Sequence, residues 1–518
     1  MKFSFKSAIV ALAALLSFAE VKADDCSRYK ILSCVKIQNP AVWKDKFLSA
    51  YSTVFEDDEQ AEAIGTACSI ALSEIKSNVG IYLVRDTSKD SESFVFLSSD
   101  DSKIWDTIKN NGHEKAKNYK GWQVISYDLE SDSCLADMLI SDLEKDMKHV
   151  AIVKASPEFV KEFIKVIRFM VSSEYSTPVV SFYWRLLDSM IGTILDECNG
   201  AEIRASIDDK KFQYDLVYKV AENSNVDNWL KKIKDNKDGP CGLFEFDKNT
   251  IGTFDGESPL SRLEEISGNT YLAKDGVTYP GLDRFGLKKS GSGCISIGKD
   301  RITSIFKLKP NARNSVIDTC ENELGLVKSR NISGFSVYIK NKQTNDDKLP
   351  SIANLAMPIS CVAFNNDVIM INVGQYSLDD IRSIINKYQS LSDSDKSHCL
   401  PGDMFDRSKI DIIRCFDAFL GPRFDVNCIG DCTFLIEETF SGDEWCIHAE
   451  TGVNDLKSLV DFCKKNKEVL AEAFDIDDNL QYSDNDAVSD DNGKSEGAQN
   501  ISDADEKCEC EDEAEAID

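Results

Sequence analysis

Residues 203–220 read IRASIDDKKFQYDLVYKV, and this stretch decides the fold. Apolar and polar residues alternate over 203–207 and again over 212–220, and Asp208-Asp209-Lys210 lies between the two runs. Aspartates favour turns, because their side chains form hydrogen bonds with nearby backbone groups. Two alternating runs joined by a turn predict an antiparallel hairpin with one buried and one solvated face.

A second hairpin is predicted near the end of the chain. Apolar residues alternate over 432–436 and 445–449, with Glu437-Glu438-Thr439 as the expected turn. The strands align with the first hairpin at an offset of 229 residues, because a slip of one residue would expose the apolar side. This alignment places Cys432 on the buried side and His448 on the opposite, solvated side.

The chain matches itself in five places that keep the same order. The matched segments are 80–84 with 293–297, 104–108 with 316–320, 121–124 with 334–337, 160–164 with 381–385, and 226–233 with 456–463. The ordered series predicts an internal duplication. We therefore expect an α+β fold of two pseudo-repeated lobes, each a largely antiparallel sheet with helices packed on one face. The predicted domains are a first repeat at 24–240, with extra N-terminal helices, and a second repeat at 241–474.

Helices are predicted where a small polar residue precedes an apolar stripe of helical period. Ser102, Ser156 and Ser377 are such cap residues. Two further helices are predicted at 41–53 and 59–75. Residues 241–290 are rich in Gly, Asp and Ser and predict either a long connection or a loop-rich insert.

Residues 1–23 have the composition of a secretory signal peptide. Lys2 and Lys6 precede a short apolar core at 7–19, and the small residue Ala23 follows as a plausible cleavage point. The core is too short to span a membrane, so cleavage is expected, with no membrane span afterwards. The mature protein is predicted to be secreted or periplasmic.

The net charge of −29 is concentrated at the C-terminus. Residues 475–518 contain 17 acidic residues and two lysines and predict a disordered acidic tail. The body is mildly acidic with no basic face, which argues against a nucleic-acid partner.

Seventeen cysteines in an exported chain predict several disulfides of unknown connectivity. Cys320 and Cys463 are expected in the second core instead, because the matches align them with Ile108 and Ile233.

Catalytic and cofactor motifs are not found in this sequence: it has no nucleophile elbow, zinc-protease helix, Walker loop or dinucleotide fingerprint. Cys428, Cys432, Cys446 and His448 have the right ligand types for zinc. The hairpin alignment puts Cys432 and His448 on opposite sides of a sheet, so no metal, cofactor or catalytic residue is assigned.

Three functions are compatible with these observations. A non-catalytic exported binding or scaffold protein comes first, with an unknown protein or small ligand between its two lobes. A hydrolase would place a carboxylate pair at the lobe junction, which leaves no short motif in a sequence. A surface interaction protein or adhesin would use the acidic tail as a tether.

Overall fold

The computed structural model describes most of the body of the chain. The described residues are 28–56, 58–89, 91–99, 116–126, 133–145, 147–156, 197–208, 210–235, 239–257, 287, 292–340, 359–393, 396, 400–420, 424–425 and 430–473. The predicted signal peptide, the acidic tail and the helices expected after Ser102 and Ser156 lie outside these residues.

The strands of the described residues all belong to one antiparallel sheet of eighteen strands. They are β1 (Tyr29–Ile37), β2 (Val79–Asp86), β3 (Ser91–Ser99), β4 (Ala116–Tyr119), β5 (Trp122–Ser126), β6 (Ala151–Ala155), β7 (Cys198–Ile207), β8 (Lys211–Val220), β9 (Thr250–Glu257), β10 (Ser292–Gly298), β11 (Arg301–Lys307), β12 (Leu326–Ile332), β13 (Phe335–Lys340), β14 (Ile359–Phe364), β15 (Val368–Gly374), β16 (Met404–Asp411), β17 (Thr433–Ser441) and β18 (Glu444–Gly452). The α+β class and the antiparallel sheet are therefore confirmed.

Pairing arranges the strands in the order β4-β5-β3-β2-β1-β6-β7-β8-β18-β17-β16-β9-β10-β11-β15-β14-β13-β12. The predicted hairpin of 203–220 is confirmed as β7–β8. Strand β8 then pairs along its whole length with β18, from Lys211 opposite Gly452 to Lys219 opposite Glu444. We call β8 and β18 the central strand pair, because they join the two halves of the chain.

Nine α-helices occur among the described residues. They are α1 (Lys44–Val54), α2 (Glu59–Glu74), α3 (Ser133–Glu144), α4 (Asn225–Asp235), α5 (Arg313–Asp318), α6 (Leu378–Ser390), α7 (Ile412–Leu420), α8 (Val453–Lys465) and α9 (Lys467–Ala473). Ser377 caps α6 as predicted, with Asp380 completing the capping box. In the part of the chain that the structure describes, no helix is long and apolar enough to cross a membrane.

Helices cover both faces of the sheet, so the prediction of helices on one face is wrong. Ile305 and Phe306 are neighbours in β11 and both are buried, although strand neighbours point to opposite faces. Ile305 packs in a cluster with α6, and Phe306 packs in a second cluster with α5. We call the face that carries α3 and α6 the front face. The back face carries α4, α5, α7 and α8.

Helix α3 is held on the front face by a buried ion pair. The Lys36 ammonium of β1 lies 2.6 Å from a carboxylate oxygen of Asp142 and donates to the Asp142 carbonyl at 2.7 Å. Both side chains are almost fully buried. Burial, and then the charge of Asp142, raise the pKa of the adjacent Cys34 thiol to about 12.

The predicted turn of the second hairpin is wrong. Residues 437–439 are not a turn but continue β17, and the hairpin turns at Gly442-Asp443 instead. Gly442 has a φ of 65°, which suits the tight turns that join strands. The segment 241–290 is not only a connection, because it contains β9, which lies between β16 and β10.

One of the predicted matches joins segments in different places of the sheet. Gly121 and Gly334 each complete a two-residue turn with positive φ that joins a hairpin, β4–β5 or β12–β13. The other neighbour of β5 is β3, whereas the other neighbour of β13 is β14. Such turns are common, so their similarity does not fix a position in the sheet. Residues 160–164, which the sequence matches with 381–385 of α6, lie outside the described residues.

The cysteine predictions divide. Cys320 is fully buried, as expected, whereas Cys463 is exposed and that prediction is wrong. The neighbouring Phe462 occupies the buried side of α8, and one residue further the helix has turned by about 100°. Cys134 and Cys241 are each disulfide-bonded, whereas the other ten cysteines of the described residues are free thiols. Disulfides of the cysteines outside the described residues stay a prediction.

Thiol labelling separates these two positions. We expect a maleimide to modify Cys463 in the folded protein and to reach Cys320 only when the protein unfolds, because burial at 0% exposure blocks the reagent. Mass spectrometry of labelled peptides, with and without urea, measures both. Equal labelling of the two residues in native buffer would contradict the observed rotation of α8.

Candidate functional site

A row of charged side chains crosses the front face at the central strand pair. Its six members lie on six adjacent strands, each directly opposite the next in register. We call them the junction row: Arg204 (β7), Asp215 (β8), His448 (β18), Glu437 (β17), Arg407 (β16) and Asp255 (β9). Alternation along each strand places them together, because residues two apart share a face.

The centre of the row is a histidine–aspartate pair that joins the two halves of the chain. His448 Nδ1 and Asp215 Oδ1 lie 2.5 Å apart. Their side chains are 29% and 24% exposed, so the pair is half-buried but open to solvent. Cys446 shares this side of β18 and lies opposite Val217.

The flanking charges are paired with one another. Arg204 Nε donates to Glu202 at 2.8 Å, and Lys154 Nζ lies 3.5 Å from the same carboxylate. On the other side, Arg407 Nε lies 3.1 Å from Glu437. Positive and negative charges therefore alternate along the junction row.

The surroundings shift several pKa values. Burial alone would raise the pKa of Glu202, but its ion pairs with Arg204 and Lys154 outweigh burial and hold the pKa below the usual range. Burial raises the pKa of Asp255. Burial, and then the charge of Asp215, raise the pKa of Cys446 to about 11.

The lowered pKa of Glu202 predicts an acid-sensitive contribution to stability. A carboxyl whose pKa is lower in the folded state stabilises the fold above its unfolded pKa of about 4.3, and this contribution is lost as the pH falls through the folded pKa. We expect Glu202→Gln to lower the free energy of unfolding by about 1 kcal/mol at pH 7, with the deficit shrinking towards pH 3.

Urea unfolding of both proteins across this pH range measures the effect. Glu144→Gln is the control, because this substitution removes the same charge from an exposed position elsewhere in the protein. A deficit that stays constant down to pH 3 would contradict the role given to the ion pairs.

The structure separates the residues considered as zinc ligands. Cys432 is buried on the back face against Phe434 and Phe462, whereas Cys446 and His448 lie on the front face. Cys428 lies outside the described residues. Within the described ranges, no group of three or more His, Cys, Asp and Glu side chains converges as a metal site would require.

The chemistry available at the row is hydrogen bonding and charge pairing. The bond to Asp215 uses Nδ1 of His448, so its second ring nitrogen, Nε2, could form a hydrogen bond with a group of a partner. Cys446 is a poor nucleophile, because a thiol with a pKa of about 11 is almost entirely protonated at neutral pH. Asp215 and Glu437 flank His448 on neighbouring strands, and they are the two carboxylates of the row that the predicted hydrolase could use.

Sequence reasoning placed His448 on the solvated side of its strand but did not find the row. The row depends on β8 pairing with β18, two strands that are far apart in the chain. The sequence did contain one useful signal for the row. Polar and apolar residues alternate in both β8 and β18, and this alternation puts Asp215 and His448 on the polar sides of their strands.

Comparisons with protein families, with characterised proteins and with solved structures find no match to this chain. The site is therefore interpreted from its own geometry.

Proposed function

We propose that the protein is an exported, non-catalytic binding protein that receives a protein partner on its front face. The observation that carries this proposal is the floor between α3 and α6. Seven strands, from β6 to β9 through the central strand pair, span roughly 30 Å at the usual strand spacing. That width exceeds a small-molecule pocket and fits the face of another protein.

The charge pattern of the floor supports a protein as the occupant. Positive and negative side chains alternate along the junction row, and each has an opposite charge beside it. A partner surface with the inverse alternation would be complementary, and such complementarity sets register and specificity. A polyanion such as nucleic acid would meet Asp215, Glu437 and Glu202, which repel it.

We further propose that the two halves are pseudo-repeats related by a two-fold axis through the central strand pair. Outward from this pair the strands run β7-β6-β1-β2-β3 on one side and β17-β16-β9-β10-β11 on the other. Ile207 pairs with Phe212 in one hairpin, and Phe440 pairs with Trp445 in the other, each pair enclosing a loop of equal length. On this alignment, Asp215 and His448 occupy equivalent positions. The separate domains at 24–240 and 241–474 stay a prediction, as does export, which is supported by residues 1–23.

Site-specific photo-crosslinking tests the binding function. Thr439 lies on the front face opposite Cys446, and a photoreactive phenylalanine analogue there should crosslink one protein from the surrounding medium. The matched control carries the same analogue at Lys328, which is exposed on the far strand β12.

The crosslink must depend on the junction row. Arg407→Glu should reduce its yield at least about tenfold, since an unpaired interfacial charge costs several kcal/mol, and adding Glu437→Arg should restore part of it. The proposal would be contradicted if the two substitutions left the crosslinking yield unchanged, or if the yield at position 439 were no higher than that at position 328.

A hydrolase is the second candidate, favoured by the carboxylates of Asp215 and Glu437 on either side of His448. Hydrolytic activity of the purified protein on ester, peptide or glycoside substrates that is lost in both Asp215→Asn and Glu437→Gln would establish it in place of the binding function.

A further inference from the structure

A second site candidate lies far from the junction row, between α1 and α2. A cleft of about 710 Å³ opens there, within the range of small-molecule sites. Leu48, Tyr51 and Phe55 form one wall, and the small residues Ala61 and Gly65 form the other.

Aromatic rings dominate the α1 wall because they recur every four residues. Trp43, Phe47, Tyr51 and Phe55 follow one another along one side of the helix in edge-on or tilted ring contacts, and the Tyr51 and Phe55 ring centroids are 4.7 Å apart. Gly65 allows α2 to approach this wall, since a Cβ at that position would lie 3.1 Å from the Tyr51 ring. No described lysine or arginine lies over the faces of Tyr51 or Phe55.

Three carboxylates of the described side chains line the cleft, and two of them already have cations. Glu56 pairs with Lys457, and Asp58 lies 3.0 Å from Lys464, both on α8. Glu62 is exposed and has no ion pair among the described residues. One carboxylate without an ion pair among the described residues therefore lines the same cleft as the rings of Tyr51 and Phe55.

We infer that this cleft binds a small organic cation with an apolar tail, of the alkylammonium class. The cation would lie between Glu62 and the faces of Tyr51 and Phe55, since aromatic faces attract cations and a nearby carboxylate adds to the attraction. The tail would pack against Leu48 and Ala61, which supply the apolar surface. One cation matches the single unpaired carboxylate.

Calorimetric titration with hexyltrimethylammonium tests this site. Saturable binding with a stoichiometry of one is expected, at least about tenfold tighter than binding of the uncharged hexyl glucoside or the anionic hexyl sulfate. Comparable binding of hexyl sulfate would overturn the proposal, because it would show a hydrophobic cleft with no preference for charge. A free alkylammonium ion and the headgroup of a choline lipid share this chemistry. Sedimentation with phosphatidylcholine vesicles distinguishes them. If the protein sediments with the vesicles and hexyltrimethylammonium releases it, the lipid headgroup is a source of the cation. If the protein does not sediment with the vesicles, the ligand is the free ion.

Two variants keep the test specific to the cleft. Glu62→Gln should weaken binding of the cation about 3- to 30-fold and leave the uncharged glycoside unchanged, and Phe55→Leu should weaken the cation similarly. Glu144→Gln is the matched control, because it removes the same charge from an exposed position at the end of α3, away from the cleft. Unchanged affinity in Glu62→Gln, or an equal loss in Glu144→Gln, would refute the site.

Discussion

Replacing Trp445 by alanine is expected to lower the free energy of unfolding by about 3–5 kcal/mol, the range for deleting a large buried aromatic side chain. Trp445 is 2% exposed and packs edge-to-face against Trp229, with ring centroids 5.6 Å apart. Its indole nitrogen also donates to Glu438 at 3.0 Å. Because Trp229 belongs to α4 and Trp445 to β18, the contact fastens a helix of the first half onto a strand of the second.

Urea unfolding followed by far-ultraviolet circular dichroism measures this loss. Trp445→Phe keeps most of the ring contacts and removes the indole donor, so about 1–2 kcal/mol is expected. Tyr214→Ala serves as the control on the same back face, where the side chain is 43% exposed and the cost should be about 1 kcal/mol or less. A cost for Trp445→Ala as small as the control would show that the halves are not held together there.

The second large effect concerns the buried ion pair under α3. Lys36→Met is expected to destabilise the protein by about 3–5 kcal/mol, because it leaves the Asp142 carboxylate buried without its cation. The near-complete burial of both groups means that water cannot compensate for the lost partner.

A double variant separates the charge from the loss of contacts. Lys36→Met combined with Asp142→Leu should recover most of the stability, since an apolar pair of similar volume often replaces a buried ion pair at little cost. Chemical denaturation of the four proteins completes the cycle. A double variant no more stable than Lys36→Met would mean that the lost contacts, and not the unpaired charge, cause the defect.

Local pattern predicted the elements of this fold well. The hairpin at 203–220, the capped helix after Ser377 and the helices near 41–53 and 59–75 all occur, because periodicity and capping act within a few residues. The two helix-bearing faces were missed for a physical reason. β11 is buried on both sides and reads as a mixed apolar run, which does not say how many layers cover it.

Long-range pairing accounts for what the sequence did not reveal at the site. Asp215 and His448 could each be assigned to the polar side of a strand, but only the register of β8 with β18 brings them within 2.5 Å. The error at Cys463 has a similar origin: the apolar stripe of α8 was inferred from the match with α4, and a rotation by one residue moved the thiol into solvent.

The central strand pair carries both the shared front face and the junction row, because each requires β8 and β18 in register. Val217 lies directly opposite Cys446, and antiparallel partners have Cα atoms about 4.5–5.5 Å apart, within the range that a disulfide bridges. Mild oxidation of Val217→Cys should therefore link residues 217 and 446, detected as a joined peptide by mass spectrometry, whereas Leu216→Cys, which points to the back face, should not link to Cys446. A link from residue 216 in place of 217, or none from either, would contradict the joined sheet.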